Sequence, residues 1–200
     1  MELLLIRHGL PVRRELREGI ADPELAPAGH QQARYLAEYL ATEAIDAIYS
    51  SPQQRAVQTA KPIAASRGLE IKIVDDVAEW DRNSSEYVPI EELKAEDDPR
   101  WQAILRGEWN MDDASPAEFR GRVVNAIETL IAAHQGHRIA VSCHGGVINA
   151  YLAHVLGLPV THGFFYPGYT SIHRVMAATT GRRSILSINE IAHLRGRTGP

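Results

Sequence analysis

Two hundred residues suffice for one sizeable α/β domain, and 44% hydrophobic residues supply its core. A formal net charge of -4 leaves no global basic field of the kind nucleic acid attracts, although local arginine clusters can still bind small anions. Cys143 is the only cysteine, which excludes an internal disulfide framework and any multi-cysteine zinc site.

Leu3 to Ile6 form an unbroken apolar run that reads as a strand buried on both faces of a parallel sheet. The run is too short for a signal peptide or a membrane span, and Glu2 flanks it, so a cytoplasmic protein with no membrane and no nucleic-acid partner is expected. Arg7, His8 and Gly9 end it. A cation, an imidazole and a permissive glycine there occupy the carboxyl end of a buried strand, where open α/β sheets build their binding sites. The polar stretch to Glu24, with Gly19 and Pro23, reads as a loop over that end. Its Arg13, Arg14 and Arg17 are expected in solvent. Pro27 then opens a helix whose inner face is Ala33, Leu36, Ala37 and Leu40.

Asp46 to Ser50 reads as the second strand. Ser51 is expected to cap, and Pro52 to start, a helix with Arg55 in its first turn, followed by Val57, Ala60 and Ala64. Pro62 predicts a bend or an early end, and Gly68 a later stop. Glu70 to Val74 is the third strand, with Glu79 and Asp81 beyond it. From Asp75 the chain is acidic and rich in turn residues, and residues 75–114 read as a partly helical insertion within one domain of 1–200. Its Tyr87, Trp101 and Trp109 are expected to pack it down rather than to form a substrate lid. Ser115, Pro116 and Glu118 form a capping box that starts a helix with Phe119, Val123, Ile127, Leu130 and Ile131 on one face, ended by Gly136.

Arg138 to Cys143 is the fourth strand. His144, Gly145 and Gly146 stand at its end, with a helix from about Val147 to Leu156, repeating the pattern of the first strand. "SIHRVMAA" and "SILSINEI", Ser171–Ala178 and Ser184–Ile191, read as two later strands, with a hairpin as one arrangement. The tail after Leu194 is expected to fray.

A parallel sheet with right-handed crossovers puts all carboxyl ends on one edge, so Arg7, His8, Arg55, Glu79 and His144 can converge from distant parts of the chain. Two guanidiniums and a helix amino terminus suit phosphate oxygens. A neutral imidazole can attack phosphorus, and a carboxyl group near the leaving oxygen can give it a proton. Glu79 is the candidate for that carboxyl. Asp81 shares its face if the segment is extended, so either can reach the site.

"LLLIRHG", "SSPQQRAVQTA" and "SCHGGVINAYL" resemble, in matching order, segments of the histidine phosphatase superfamily, in the branch that holds cofactor-dependent phosphoglycerate mutases and many small phosphatases. The likeness runs from Leu3 to about Leu158, and "PGYTSIHRV" is similar to the family's late strand. It implies a three-layer α/β fold of the phosphoglycerate mutase kind, with a mostly parallel central sheet and helices on both faces. It further implies a phosphoenzyme mechanism on a small phosphorylated substrate, with no metal and no cofactor. His8 would be the nucleophile, Arg7 and Arg55 would hold the phosphoryl oxygens, His144 would be a second phosphate-facing imidazole, and Glu79 the proton donor.

Departures from the family pattern favour a phosphatase over a mutase and leave the substrate open. Leu10 and Pro11 stand where sugar-phosphate members have an acidic and a hydroxyl residue, and Ala26 replaces a threonine before the first helix. A mutase needing a bisphosphorylated primer and a phosphoryl-binding regulatory module without turnover are the alternatives. A metal hydrolase using His8, His144 and Glu79 or Asp81 is opposed by the two arginines, which would repel a cation. Cys143 reads as a small buried residue. His30, His134, His137, His154, His162, His173 and His193 read as structural or exposed. A homodimer is left open.

Overall fold

The computed structural model describes residues 1–105, 115–159 and 163–197. In chain order these form β1 (Glu2–Arg7), β2 (Arg14–Glu15), α1 (Pro27–Tyr39), β3 (Ala47–Ser50), α2 (Gln54–Ala65), β4 (Ile71–Ile73), β5 (Glu86–Tyr87) and α3 (Ile90–Ala95). They continue with α4 (Pro99–Leu105), α5 (Pro116–Ala133), β6 (Arg138–Cys143), α6 (Gly145–Val155), β7 (Ile172–Ala177) and β8 (Arg183–Glu190). Short 3-10 turns follow β4 at Asp75–Val77 and β8 at Ala192–Leu194.

The central sheet runs β4-β3-β6-β1-β7-β8. Its first four strands are parallel, β7 is antiparallel to β1, and β8 pairs with β7 as a hairpin. Alternation along β1 divides the core. Leu3 and Leu5 pack with Phe119, Val123 and Ile127 of α5 and Val147 and Tyr151 of α6, whereas Leu4 and Ile6 pack with Leu36 of α1 and Ala60 and Ile63 of α2. The mostly parallel sheet with helices on both faces is therefore present. Among the described residues no helix is long and apolar enough to cross a membrane.

Local signals explain most element ends. Ser115 caps α5 through the expected capping box with Glu118, and Gly136, at φ +82°, turns the chain toward β6. Four expectations need correction. Ser51 does not cap α2, which starts at Gln54 behind an uncapped Gln53; the serine Oγ accepts the Gln53 N–H at 3.3 Å and lies 2.7 Å from His144 Nε2. Pro62 lies inside α2 without ending it; Gly68, at φ +63°, lets the Leu69 N–H return to the Ala64 carbonyl and closes the helix. α6 begins at Gly145, two residues early, with His144 as its cap residue. The tail is tied down as far as Arg197, whose guanidinium pairs with Glu38 and lies 4.0 Å from the Tyr35 ring centroid.

The loop after β1 and the stretch after β4 also meet. Arg14 and Glu15 pair with Tyr87 and Glu86 as a two-stranded ribbon, which brings the insertion over the carboxyl edge of the sheet.

Candidate active site

β6 lies between β3 and β1, and the ladder continues past the strand ends: Ser51 N–H donates to the Ser142 carbonyl and His8 N–H to the Cys143 carbonyl, both at 3.0 Å. Ser51, His144 and His8 therefore follow one another across the carboxyl edge. The two imidazole centroids are 5.2 Å apart. The turn after His8 is held against α1 and α2, where Gly9 N–H donates to Thr59 Oγ1 and Leu10 N–H to Gln32 Oε1, each at 2.9 Å. A Cβ on Gly9 would lie 2.8 Å from the Gly29 carbonyl oxygen, so the close approach requires glycine there.

His8 is buried, with Nδ1 2.8 Å from the Gly9 carbonyl oxygen. A carbonyl only accepts, so Nδ1 carries the hydrogen and Nε2 keeps its lone pair. Burial, then the Arg55 and Arg7 guanidiniums, hold its pKa well below the usual imidazole value. His8 is thus a neutral base with a free nitrogen.

Both arginines are buried against aromatic rings. Arg7 donates from Nη1 to the Pro167 carbonyl at 2.6 Å, and its guanidinium carbon lies 4.1 Å from the Tyr169 ring centroid and 5.0 Å from that of Tyr166. Arg55 donates from Nη2 to both oxygens of Asp81, at 2.8 and 2.9 Å, with its guanidinium carbon 4.5 Å from the Tyr87 ring centroid. Other nitrogens remain uncommitted. Arg7 Nε, Arg55 Nε and Nη1, and His144 Nδ1 are buried without a hydrogen-bond partner among the described residues. An unmatched buried polar group costs on the order of 1–3 kcal/mol, so an anion with several oxygens would be strongly favoured against this surface.

Two carboxyl groups complete the site. Asp81 also accepts from Gln53 Nε2 at 2.9 Å, and Gln53 Oε1 accepts the Glu79 N–H at 2.7 Å. Glu79 accepts from Gly146 N–H at 2.8 Å and from its neighbour Trp80 N–H at 3.2 Å. Its pKa is pushed up to about 7, first by burial and then by the Asp81 carboxylate. A Cβ on Gly146 would lie 2.3 Å from Glu79 Oε1, so glycine is what admits that carboxyl group.

Arg7, His8, Arg55, Glu79 and His144 thus gather on one edge. Tyr87 departs from expectation: it stacks on Arg55 instead of packing the insertion down, while Trp101 has the Lys94 amine 6.0 Å from its ring centroid and Trp109 lies outside the described residues. Arg13 is exposed and ion-paired to Glu15, Glu92 and Glu96. Cys143 is wholly buried, and burial pushes its thiol pKa up. His173 and His193 are buried and bonded to Ser171 and Thr170, His134 to Tyr49; His30 and His154 are exposed, and His162 lies outside the described residues. No group of three or more His, Cys, Asp and Glu side chains among the described residues is placed to hold a metal ion. Tyr166 and Glu91 carried no sequence signal for the site, and Ser51, Gln53 and Tyr169 lie within the family-like segments without a role in the site being legible there. Each enters through a contact with a residue far away in the chain.

The family model described as histidine phosphatase superfamily (branch 1) matches residues 3–191. The chain belongs to the histidine phosphatase superfamily. The fold is phosphoglycerate mutase-like, and the family together with the phosphatases among its relatives makes the enzyme class a phosphatase-type hydrolase. Among curated relatives of this histidine phosphatase, phosphoserine phosphatase 1 of Hydrogenobacter thermophilus is 29% identical over 97% of this chain and 94% of that one. A probable phosphoglycerate mutase GpmB of Yersinia enterocolitica is 28% identical over 80% of this chain and 76% of that one. Among solved structures, a histidine-to-alanine mutant of the phosphoserine phosphatase from Entamoeba histolytica, in complex with phosphoserine, superposes with a TM-score of 0.74 at 27% identity, covering 96% of this chain and 98% of that one.

Proposed function

We propose that this histidine phosphatase hydrolyses small phosphomonoesters through a phosphohistidine on His8, with Arg7, Arg55 and His144 holding the phosphoryl oxygens and Glu79 as proton donor. His8 Nε2 attacks phosphorus, the bond from phosphorus to the leaving oxygen breaks, and the Glu79 carboxyl gives its proton to that oxygen. Water then attacks the phosphohistidine, Glu79 takes up the proton, the P–N bond breaks, and His8 returns to its starting state. The observation that carries this reading is the buried His8, its Nδ1 committed to the Gly9 carbonyl, set among buried nitrogens of Arg7, Arg55 and His144 that have no partner among the described residues. Glu79 suits the acid better than Asp81, because Asp81 is engaged by Arg55 and Gln53.

The relatives named as phosphoserine phosphatases and the phosphoserine complex support a small substrate that carries a carboxylate beside its phosphate. The mutase reading keeps one support, the relative named as a probable phosphoglycerate mutase. It requires the phosphoenzyme to return its phosphoryl group to an acceptor before water reaches it. We read residues 1–200 as one domain with the insertion as part of it, and the protein as cytoplasmic and free of nucleic-acid and membrane partners, a homodimer being compatible with both.

The test is phosphate release from an aryl phosphate with chelator present, for the protein and for His8→Ala. Turnover that vanishes in the variant, together with acid-labile phosphate trapped on the protein, is expected. Turnover that persists in His8→Ala would overturn the phosphohistidine. Release that appears only with a bisphosphorylated primer would select the mutase, and phosphate-dependent stabilisation without any turnover would select the binding module.

A further inference from the structure

His144 can give a hydrogen bond to a phosphoryl oxygen only if the ring nitrogen that faces the oxygen carries the hydrogen. In a neutral imidazole the partner of one nitrogen decides the state of the other. Nε2 of His144 lies 2.7 Å from Oγ of Ser51, and the buried Nδ1 has no partner among the described residues. Ser51 is wholly buried at the end of β3, beside β6, and its Oγ accepts the Gln53 N–H at 3.3 Å. Both side chains are wholly buried.

Two hydrogen placements fit the short contact. If Nε2 donates to Ser51, the serine hydrogen finds no second acceptor among the described residues, and Nδ1 presents a lone pair; two buried groups are then unmatched. If the Ser51 hydroxyl donates to Nε2, the serine is complete, accepting once from Gln53 and donating once to His144. Only Nδ1–H is then uncommitted, on a ring whose centroid lies 5.2 Å from that of His8 and which feels the charge of both guanidiniums. The second placement leaves fewer buried groups unmatched and presents a donor where the phosphoryl oxygens would sit. Burial and the neighbouring Arg55 keep the ring neutral, so the choice of tautomer is a real one.

We propose that Ser51 is a positioning residue that fixes His144 in its Nδ1–H tautomer, so that His144 donates from Nδ1 to an oxygen of the phosphoryl group. The proposal rests on the reading of this pocket as the phosphoryl site. Gln53, whose amide bridges Asp81 and Glu79, follows at the cap position of α2, and its N–H is the one that Ser51 Oγ accepts.

Ring nitrogen shifts of His144, measured by long-range 15N–1H correlation on the full chain and assigned by loss of the signal in His144→Gln, read the tautomer directly. The expected result is a protonated Nδ1 and an acceptor-type Nε2, with the Nδ1 proton moving on titration with inorganic phosphate. In Ser51→Ala the Nε2–H form becomes populated, the Kd for inorganic phosphate rises about tenfold, and kcat/KM for an aryl phosphate falls about ten- to a hundredfold, the worth of one hydrogen bond to a charged group. Ser51→Thr, which keeps the hydroxyl, restores the Nδ1–H signature. An Nε2–H ring in the unmodified protein overturns the proposal even if Ser51→Ala does not fold. So does an unchanged tautomer with kcat/KM within twofold in Ser51→Ala. Failure of the underlying reading looks different: turnover that survives in His8→Ala, with the Nδ1–H signature intact, removes the phosphoryl group from the pocket and with it the role given to Ser51.

Discussion

Glu79 and Asp81 stand two residues apart and differ in what surrounds them. Asp81 is matched by a guanidinium and a side-chain amide, whereas Glu79 accepts two backbone N–H groups in a buried site beside Asp81, and burial together with that negative neighbour outweighs both hydrogen bonds. A general acid must hold its proton, and the protonated fraction of Glu79 falls as pH rises through about 7. The kcat/KM for an alkyl phosphate, whose leaving oxygen needs that proton, is therefore expected to decline above this pH. Asp81→Asn removes a negative charge that raises the Glu79 pKa, so the alkaline limb moves to lower pH. Glu79→Gln abolishes the limb and slows hydrolysis about a hundredfold. A pH profile of the three proteins checks this, and a limb that survives in Glu79→Gln would assign the acid to another group. The sequence showed both carboxyl groups near the site but could not separate them, because the separation is made by Gln53, Arg55 and Gly146, which come from other elements.

At the scale of elements, β1, β6 and α5 were legible because their signals are local: apolar runs, a capping box and a terminating glycine. The ribbon between β2 and β5 was not, since two-residue strands leave no periodicity, and its effect is to set Tyr87 on Arg55. Glu91, in the first turn of α3, extends the same device. It accepts the hydroxyls of Tyr166 and Tyr169, the rings that stack on Arg7, and so fastens the insertion to the loop before β7. Glu91→Ala frees both hydroxyls. The expected outcome is a several-fold rise in the Kd for vanadate and faster proteolysis within the insertion, with the sheet unaffected; a charge-assisted hydrogen bond of about 1.5–3 kcal/mol, discounted for exposure, sets that scale. An unchanged Kd would mean that the tyrosines hold Arg7 without the insertion.

For the molecule as a whole, a parallel sheet sandwiched by helices buries its carboxyl edge, and with it several histidines that the fold keeps neutral. Burial, aided by the guanidiniums, holds His8 and His144 well below the usual imidazole pKa; burial lowers His173 to about 3 and His193 to about 4. In the unfolded chain each would take up a proton near pH 6.5. Groups whose pKa is depressed by folding contribute stability that is fully present above the unfolded value and is lost as pH falls below it. Glu79 acts in the opposite sense, because its raised pKa means that the folded protein binds that proton more tightly as pH falls from about 7. Four imidazoles outweigh one carboxyl group, so Tm is expected to fall steadily when pH is lowered from 7.5 toward 5, well above the usual carboxylate range. Scanning calorimetry over that interval decides it. A flat Tm would mean that the imidazoles carry protons in the folded state, and a charged His8 has no lone pair with which to attack phosphorus.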